Sequence, residues 1–142
     1  MKFWDSSGIV PLCVIEPTSE RIMEILRGDQ AMVVWWATRI ECISAFVRRT
    51  REGILDAGSE EQSRIILRKL ARSWIEIQPT QGVRESAERL LAVHPLRTAD
   101  ALQLAAALMW TRRSPLGHHF VCLDHLLREA ARKEGFALLP TL

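Results

Sequence analysis

Short unbroken apolar runs alternate along the chain with longer stretches whose apolar residues recur at helical spacing. Lys2-Phe3-Trp4 is the first strand candidate, and Ala31-Met32-Val33-Val34-Trp35-Trp36 is an apolar run without alternation, the pattern of a strand covered on both faces. Phe120-Val121-Cys122-Leu123 and Phe136 to Leu139 supply two more, while Trp74 to Gln78 is too short to decide. Between them the spacing predicts a helix over about Gly8 to Ile15, with Pro11 tolerable only near its first turn, and a second from Thr18 or Ser19 to Gly28. A third helix spans Thr38 to Arg51, and Ser59-Glu60-Glu61-Gln62 is a capping box opening a fourth that reaches about Arg72. Gln81 to Val93, Thr98 to about Arg112, and the stretch from Leu126 to Gly135 complete the series. The Thr98 helix is apolar nearly all round and belongs in the middle of the fold.

Strands separated by helices predict a three-layer α/β/α sandwich around a mostly parallel sheet of four to five strands. The 142 residues are expected to form one domain, 1–142, large enough to bury about two thirds of the unfolded surface. Hydrophobic residues at 48% and charged ones at 25% exclude disordered and collagen-like chains. The most apolar stretch, Ala101 to Trp110, is far shorter than the roughly 20 residues of a membrane span, and no basic leader precedes a long apolar run. Cys13, Cys42 and Cys122 are widely spaced among apolar residues, which fits buried thiols in a reducing, cytoplasmic setting better than disulfides or zinc.

Net charge is only +2, yet the basic residues are 16 Arg to 3 Lys. Arg grips phosphate or carboxylate with a planar fork, so this skew suits a phosphodiester partner; codon bias in the source genome explains it equally well. The acids are more informative. Parallel sheets bind ligands beyond the carboxyl ends of their strands. Asp5 and Asp124 each follow a strand candidate, Glu41 starts the helix after the second strand, and Asp100 lies in the first turn of the apolar helix. Each has an ordinary structural reading. Glu41 completes a capping box with Thr38, Asp5 and Asp124 are suitable helix caps, and Asp100 suits the helix dipole. Jointly, parallel strands would deliver all four to one edge, where they repel unless a cation binds. An all-oxygen set without His or Cys favours Mg²⁺ or Mn²⁺ over Zn²⁺, and the natural chemistry is metal-assisted phosphodiester hydrolysis.

The apolar strand leading to Asp5-Ser6-Ser7, Glu41 after the second strand, Leu96-Arg97-Thr98-Ala99-Asp100-Ala101-Leu102-Gln103-Leu104-Ala105-Ala106-Ala107, and Phe120-Val121-Cys122-Leu123-Asp124 with Ala130-Ala131 and Gly135 resemble a PIN-domain protein of the VapC type. The resemblance runs the length of the chain, and the Asp100 and Asp124 segments are its specific parts. It implies a Mg²⁺- or Mn²⁺-dependent endoribonuclease, usually the toxin of a type II toxin-antitoxin pair, often a homodimer, inhibited by a cognate antitoxin protein. Carried over, Asp5, Glu41, Asp100 and Asp124 are the catalytic, metal-holding acids, and Ser7 supports Asp5. Cys122 stands where many relatives carry Thr or Ser, which weakens the expected support for Asp124.

Arg97, Arg48 and Arg49 are candidate RNA contacts, each with an alternative as a salt-bridging or solvated side chain. His118-His119 reads as a solvated pair, His125 as a partly exposed first-turn residue, and the five Trp as core. Two rival functions remain: a catalytically weak PIN-fold module that binds RNA or protein, and a phosphomonoesterase. The latter is disfavoured because no second Asp lies two residues after Asp5.

Overall fold

The computed structural model describes residues 1–142. In chain order the elements are β1 (Lys2–Trp4), α1 (Ser6–Cys13), α2 (Ser19–Gly28), β2 (Met32–Trp35), α3 (Thr38–Arg51), α4 (Ala57–Ala71) and β3 (Ile75–Ile77), then α5 (Gln81–Val93), α6 (Thr98–Trp110), β4 (His119–Val121), α7 (His125–Glu134) and β5 (Ala137–Leu139). The strands form one five-stranded sheet in the order β3-β2-β1-β4-β5, with every neighbouring pair parallel. The chain builds outward from β1 in one direction, then returns to pair β4 on its other side. The carboxyl ends of β1 and β4 therefore flank the switch point, where a crevice opens.

Strand side chains alternate between two apolar layers, which explains why the central strands carry polar residues only at their first positions, Lys2 and His119. Phe3, Val33, Trp35 and Phe120 pack with residues of α5, α6 and α7. Trp4, Met32, Val34 and Val121 pack on the opposite face with residues of α1 to α4. The ambiguous Trp74 to Gln78 segment contributes the edge strand β3, where Ile75 is exposed and Trp74 buried. No helix is long and apolar enough to cross a membrane.

Several boundaries differ from the sequence expectation, each for a local reason. The first helix begins at Ser6 rather than Gly8, because the Asp5 carboxylate accepts from the Ser7 amide and caps it. Pro11 consequently falls in the second turn, where it is buried. Gly8 brings that turn close to β4, since a Cβ there would lie 3.1 Å from the Val121 carbonyl oxygen. The fourth helix starts ahead of the Ser59 box because Asp56 accepts from the Ser59 amide at 2.7 Å, and an ionised cap at a helix start gains from the dipole as well. Thr98 is the first residue of α6 rather than its cap, and the helix ends at Trp110. Gly135 ends α7 in the left-handed conformation expected of a terminal glycine.

Candidate functional site

Beyond the carboxyl ends of β1 and β4, Glu41, Asp100 and Asp124 line one open cleft of about 890 Å³ together with Ser6 and Ser7, and Asp5 lies buried beneath that lining, bonded to Ser7. Asp5 leaves the end of β1, its amide bonded to the Val121 carbonyl at 3.0 Å, and lies almost wholly buried at the floor. Its Oδ2 accepts from the amide of Ser7 at 3.1 Å and from the Ser7 hydroxyl. Ser7 Oγ in turn accepts from the amide of Leu123 at 2.9 Å, so a single hydroxyl ties Asp5 to the segment leading into α7.

Cys122 replaces a hydroxyl without leaving a gap. Its Sγ lies 3.7 Å from Asp5 Oδ2 and 3.6 Å from the Ser7 hydroxyl, a weak donor where Thr or Ser would be a strong one. Burial, followed by the nearby Asp5 charge, pushes the thiol well up. The support it gives is therefore directed at Asp5 as much as at Asp124, whose backbone carbonyl it also meets at 3.6 Å.

The ordinary readings hold for some acids and fail for another. Asp5 and Asp124 do cap α1 and α7, the latter accepting from the Leu127 amide at 2.9 Å through Oδ1. Glu41 does not close a capping box. Thr38 is fully buried inside the first turn of α3 and makes no cap bond, while the Glu41 carboxylate turns toward α1 and α6. There Oε1 accepts from Ser6 Oγ at 3.1 Å, and Gln103 Nε2 reaches Oε1 at 3.2 Å and Oε2 at 3.3 Å.

The electrostatics bear the mark of like charges gathered together. Burial first, and then the charge of Asp5, push Glu41 up to about 7 against the bonds from Gln103 and Ser6. Asp5 is raised by burial, with the charge of Asp100 adding to it and the bonds from Ser7 opposing it. Asp100 is raised by burial and by Asp124, with the backbone amide and the charge of Arg97 opposing. As the side chains stand, no three His, Cys, Asp or Glu are grouped closely enough to hold a metal ion between them. The acids share a cleft, and they sense one another's charge. An all-carboxylate set of this kind fits a hard divalent cation such as Mg²⁺ or Mn²⁺, which takes oxygen ligands and retains waters.

The arginines divide. Arg48, Arg49 and Arg97 all line the cleft, but Arg49 is held by Glu16 at 2.6 Å and also donates to the Ala45 carbonyl. Arg48 and Arg97 are exposed and make no ion pair. His118 and His119 lie at the start of β4, away from the cleft, and His118 packs edge-on against Trp110 at 5.1 Å, so the pair is half-buried rather than solvated. His125 is exposed at the start of α7. Ser6 and Gln103 escaped the sequence reading of the site. The available signal was Gln103 itself, a polar residue one helical turn after Asp100 in a helix otherwise apolar nearly all round.

No family model matches the chain, and no curated protein does. Solved structures do. The crystal structure of PAE2754 from Pyrobaculum aerophilum is similar with a TM-score of 0.68 at 17% identity, over 97% of this chain and 88% of that one. That of FitAcB from Neisseria gonorrhoeae gives a TM-score of 0.65 at 16% identity, over 97% of this chain and 96% of that one. At such identities the likeness speaks for the architecture alone: the chain has a PIN-like α/β fold with an all-parallel five-stranded sheet.

Proposed function

We propose that this chain is a Mg²⁺- or Mn²⁺-dependent endoribonuclease acting as the toxin of a toxin-antitoxin pair. The observation that carries this reading is that separate elements bring Glu41, Asp100 and Asp124 to one cleft, with Asp5 buried beneath it and bonded to Ser7 of the lining. Burial raises Asp5, Glu41 and Asp100, and neighbouring acids add to it: Asp100 acts on Asp5, Asp5 and Asp100 on Glu41, and Asp124 on Asp100. Uncompensated acids are costly to bury, and their retention together makes sense when a cation offsets them. In this role the four carboxylates would hold the cation, with Ser7 and Cys122 fixing Asp5 and with Ser6 and Gln103 fixing Glu41. The bound ion supplies an acidified water and neutralises charge growing on a phosphoryl oxygen. Arg48 and Arg97, free on the rim, contact the flanking phosphates of the RNA. Water adds to phosphorus, and the bond from phosphorus to the leaving ribose oxygen breaks.

The toxin assignment rests on the motif resemblance around Asp100 and Asp124. Ile40 and Leu126, both exposed apolar residues in the cleft lining, suit coverage by a protein such as the antitoxin. A homodimer is proposed on the resemblance alone. Cleavage of a mixed RNA substrate by the wild type with Mg²⁺ or Mn²⁺, its loss on chelation, and a loss of about a hundredfold or more in Asp5→Asn and Asp100→Asn are the expected results. Wild-type rates in either variant would sink the assignment. The alternative, a catalytically weak binding module, is favoured only by the thiol of Cys122 in place of a hydroxyl. RNA binding without Mn²⁺ binding at millimolar concentration would select it.

A further inference from the structure

Gln103 is completely buried in α6, among Ala101, Leu104 and Ala105, where an apolar side chain of similar volume would pack without any polar group to satisfy. Its amide nitrogen is fully committed. Nε2 donates to Thr38 Oγ1 at 3.0 Å and bridges both carboxylate oxygens of Glu41. Its Oε1 is buried with no hydrogen-bond partner. An unpaired buried acceptor costs stability, and what the amide gives in return is the set of bonds its nitrogen makes. What it holds is Glu41, a first-turn acid of α3 that caps no helix and whose carboxylate is bonded by side chains of two other helices. Glu41 projects from α3, gripped by Ser6 of α1 on one side and Gln103 of α6 on the other, although Asp5 and Asp100 repel it. Thr38, also completely buried, lies one turn before Glu41 on the same helix and anchors the amide that reaches it.

We propose that Gln103, anchored by Thr38, is a positioning residue that holds the Glu41 carboxylate toward Asp5 and Asp100 and thereby sets the affinity of the cleft for a divalent cation. The inference rests on the metal-site reading above. Without the amide, the carboxylate is free to swing away from its like-charged neighbours into the open cleft, and the cation loses a pre-placed ligand. Groups that orient metal ligands from behind typically set affinity by about ten- to a hundredfold.

The test is calorimetric titration of metal-free protein with Mn²⁺, alongside thermal midpoints measured without metal. Gln103→Leu removes the donor and keeps the volume. It is expected to fold with a midpoint near that of the wild type, since loss of the unpaired acceptor offsets the buried Thr38 hydroxyl left without its partner, yet to bind Mn²⁺ about tenfold more weakly or worse. Gln103→His, which retains an N–H at similar reach, should recover much of the affinity. Should Gln103→Leu fail to fold, Thr38→Val tests the same anchor, with a loss of about threefold or more expected because Gln103 keeps its bonds to Glu41. Wild type that binds Mn²⁺ while the folded variant binds it equally well overturns this inference alone. Wild type that binds no Mn²⁺ at millimolar concentration overturns the metal-site reading, and the inference with it.

Discussion

The two edges of the sheet treat acidic residues in opposite ways. Where the strands begin, Asp29 and Glu134 each have a cationic partner. Asp29, just before β2, is held by Lys2 at 3.1 Å and by the amino terminus, and its carboxyl is pulled well below the usual range. Glu134, the last residue of α7, bonds Arg89 at 2.6 Å and buried His94 at 2.7 Å; burial raises its carboxyl, but those two partners together outweigh it and leave it lowered. Where the strands end, Asp5, Glu41 and Asp100 have hydroxyl, thiol and amide donors but no ion-pair partner, and all three are raised. One edge has acids that complete the fold. The other has acids without cations, which on the proposed function are placed for a divalent ion at some cost in stability.

Exchanging acids for amides at the two edges should separate these roles most sharply. Asp100→Asn should lower RNA cleavage by about a hundredfold or more and, in metal-free buffer, leave the urea midpoint unchanged or raised because a repulsion is removed. A variant that cleaves normally, or that is strongly destabilised, would erase the contrast from that side. From the other side, Glu134→Gln should retain cleavage while losing about 1–3 kcal/mol of stability, since His94 is buried and Arg89 loses its partner. Equal urea midpoints for this variant and the wild type would show that the Glu134 cluster contributes nothing to folding.

The pH dependence should then carry opposite signs. A carboxylate raised by folding binds its proton more tightly in the folded state. The Glu41 contribution is therefore present below the ordinary glutamate range and is lost as pH rises through about 7 in metal-free protein. Glu134, lowered by folding, contributes above the ordinary glutamate range and loses that contribution as pH falls through its folded value. Urea midpoints of Glu41→Gln and Glu134→Gln against pH, without divalent ions, should bend away from the wild type at opposite ends of the range. Parallel curves would break the comparison. The smallest effect expected is at the rim: Arg48→Ala and Arg97→Ala should each reduce the salt slope of RNA binding by about one, and Arg49→Ala by less, because Glu16 already neutralises it. Equal slopes for all three would remove the distinction between free and committed arginines.

Much of this was legible along the chain. Unbroken apolar runs marked β2 and β4 because a strand sandwiched between helical layers has no solvent face, and helical periodicity marked α3 and α5 at their observed limits. Boundaries failed where caps compete: Asp56 and Ser59 are both eligible, and only the folded backbone shows that Asp56 takes the amide. The site was legible as a set of junction acids, yet not as a working unit. Glu41 and Thr38 match the capping-box pattern by spacing, but both turn toward Gln103, a residue 65 positions from Thr38 and 62 from Glu41. No local pattern encodes such a contact.

The sequence by itself therefore determined the strands and helices other than β3, and which acids stand at their junctions, because those follow from local burial periodicity and capping chemistry. Strand order is another matter. That β4 returns to pair with β1, setting Asp124 beside Asp5 and Asp100, is a choice among long-range pairings that the local pattern permits equally, and packing of the whole chain decides it. The same packing decided that Gln103 faces Glu41, and so which carboxylates are held in place and which only cap a helix.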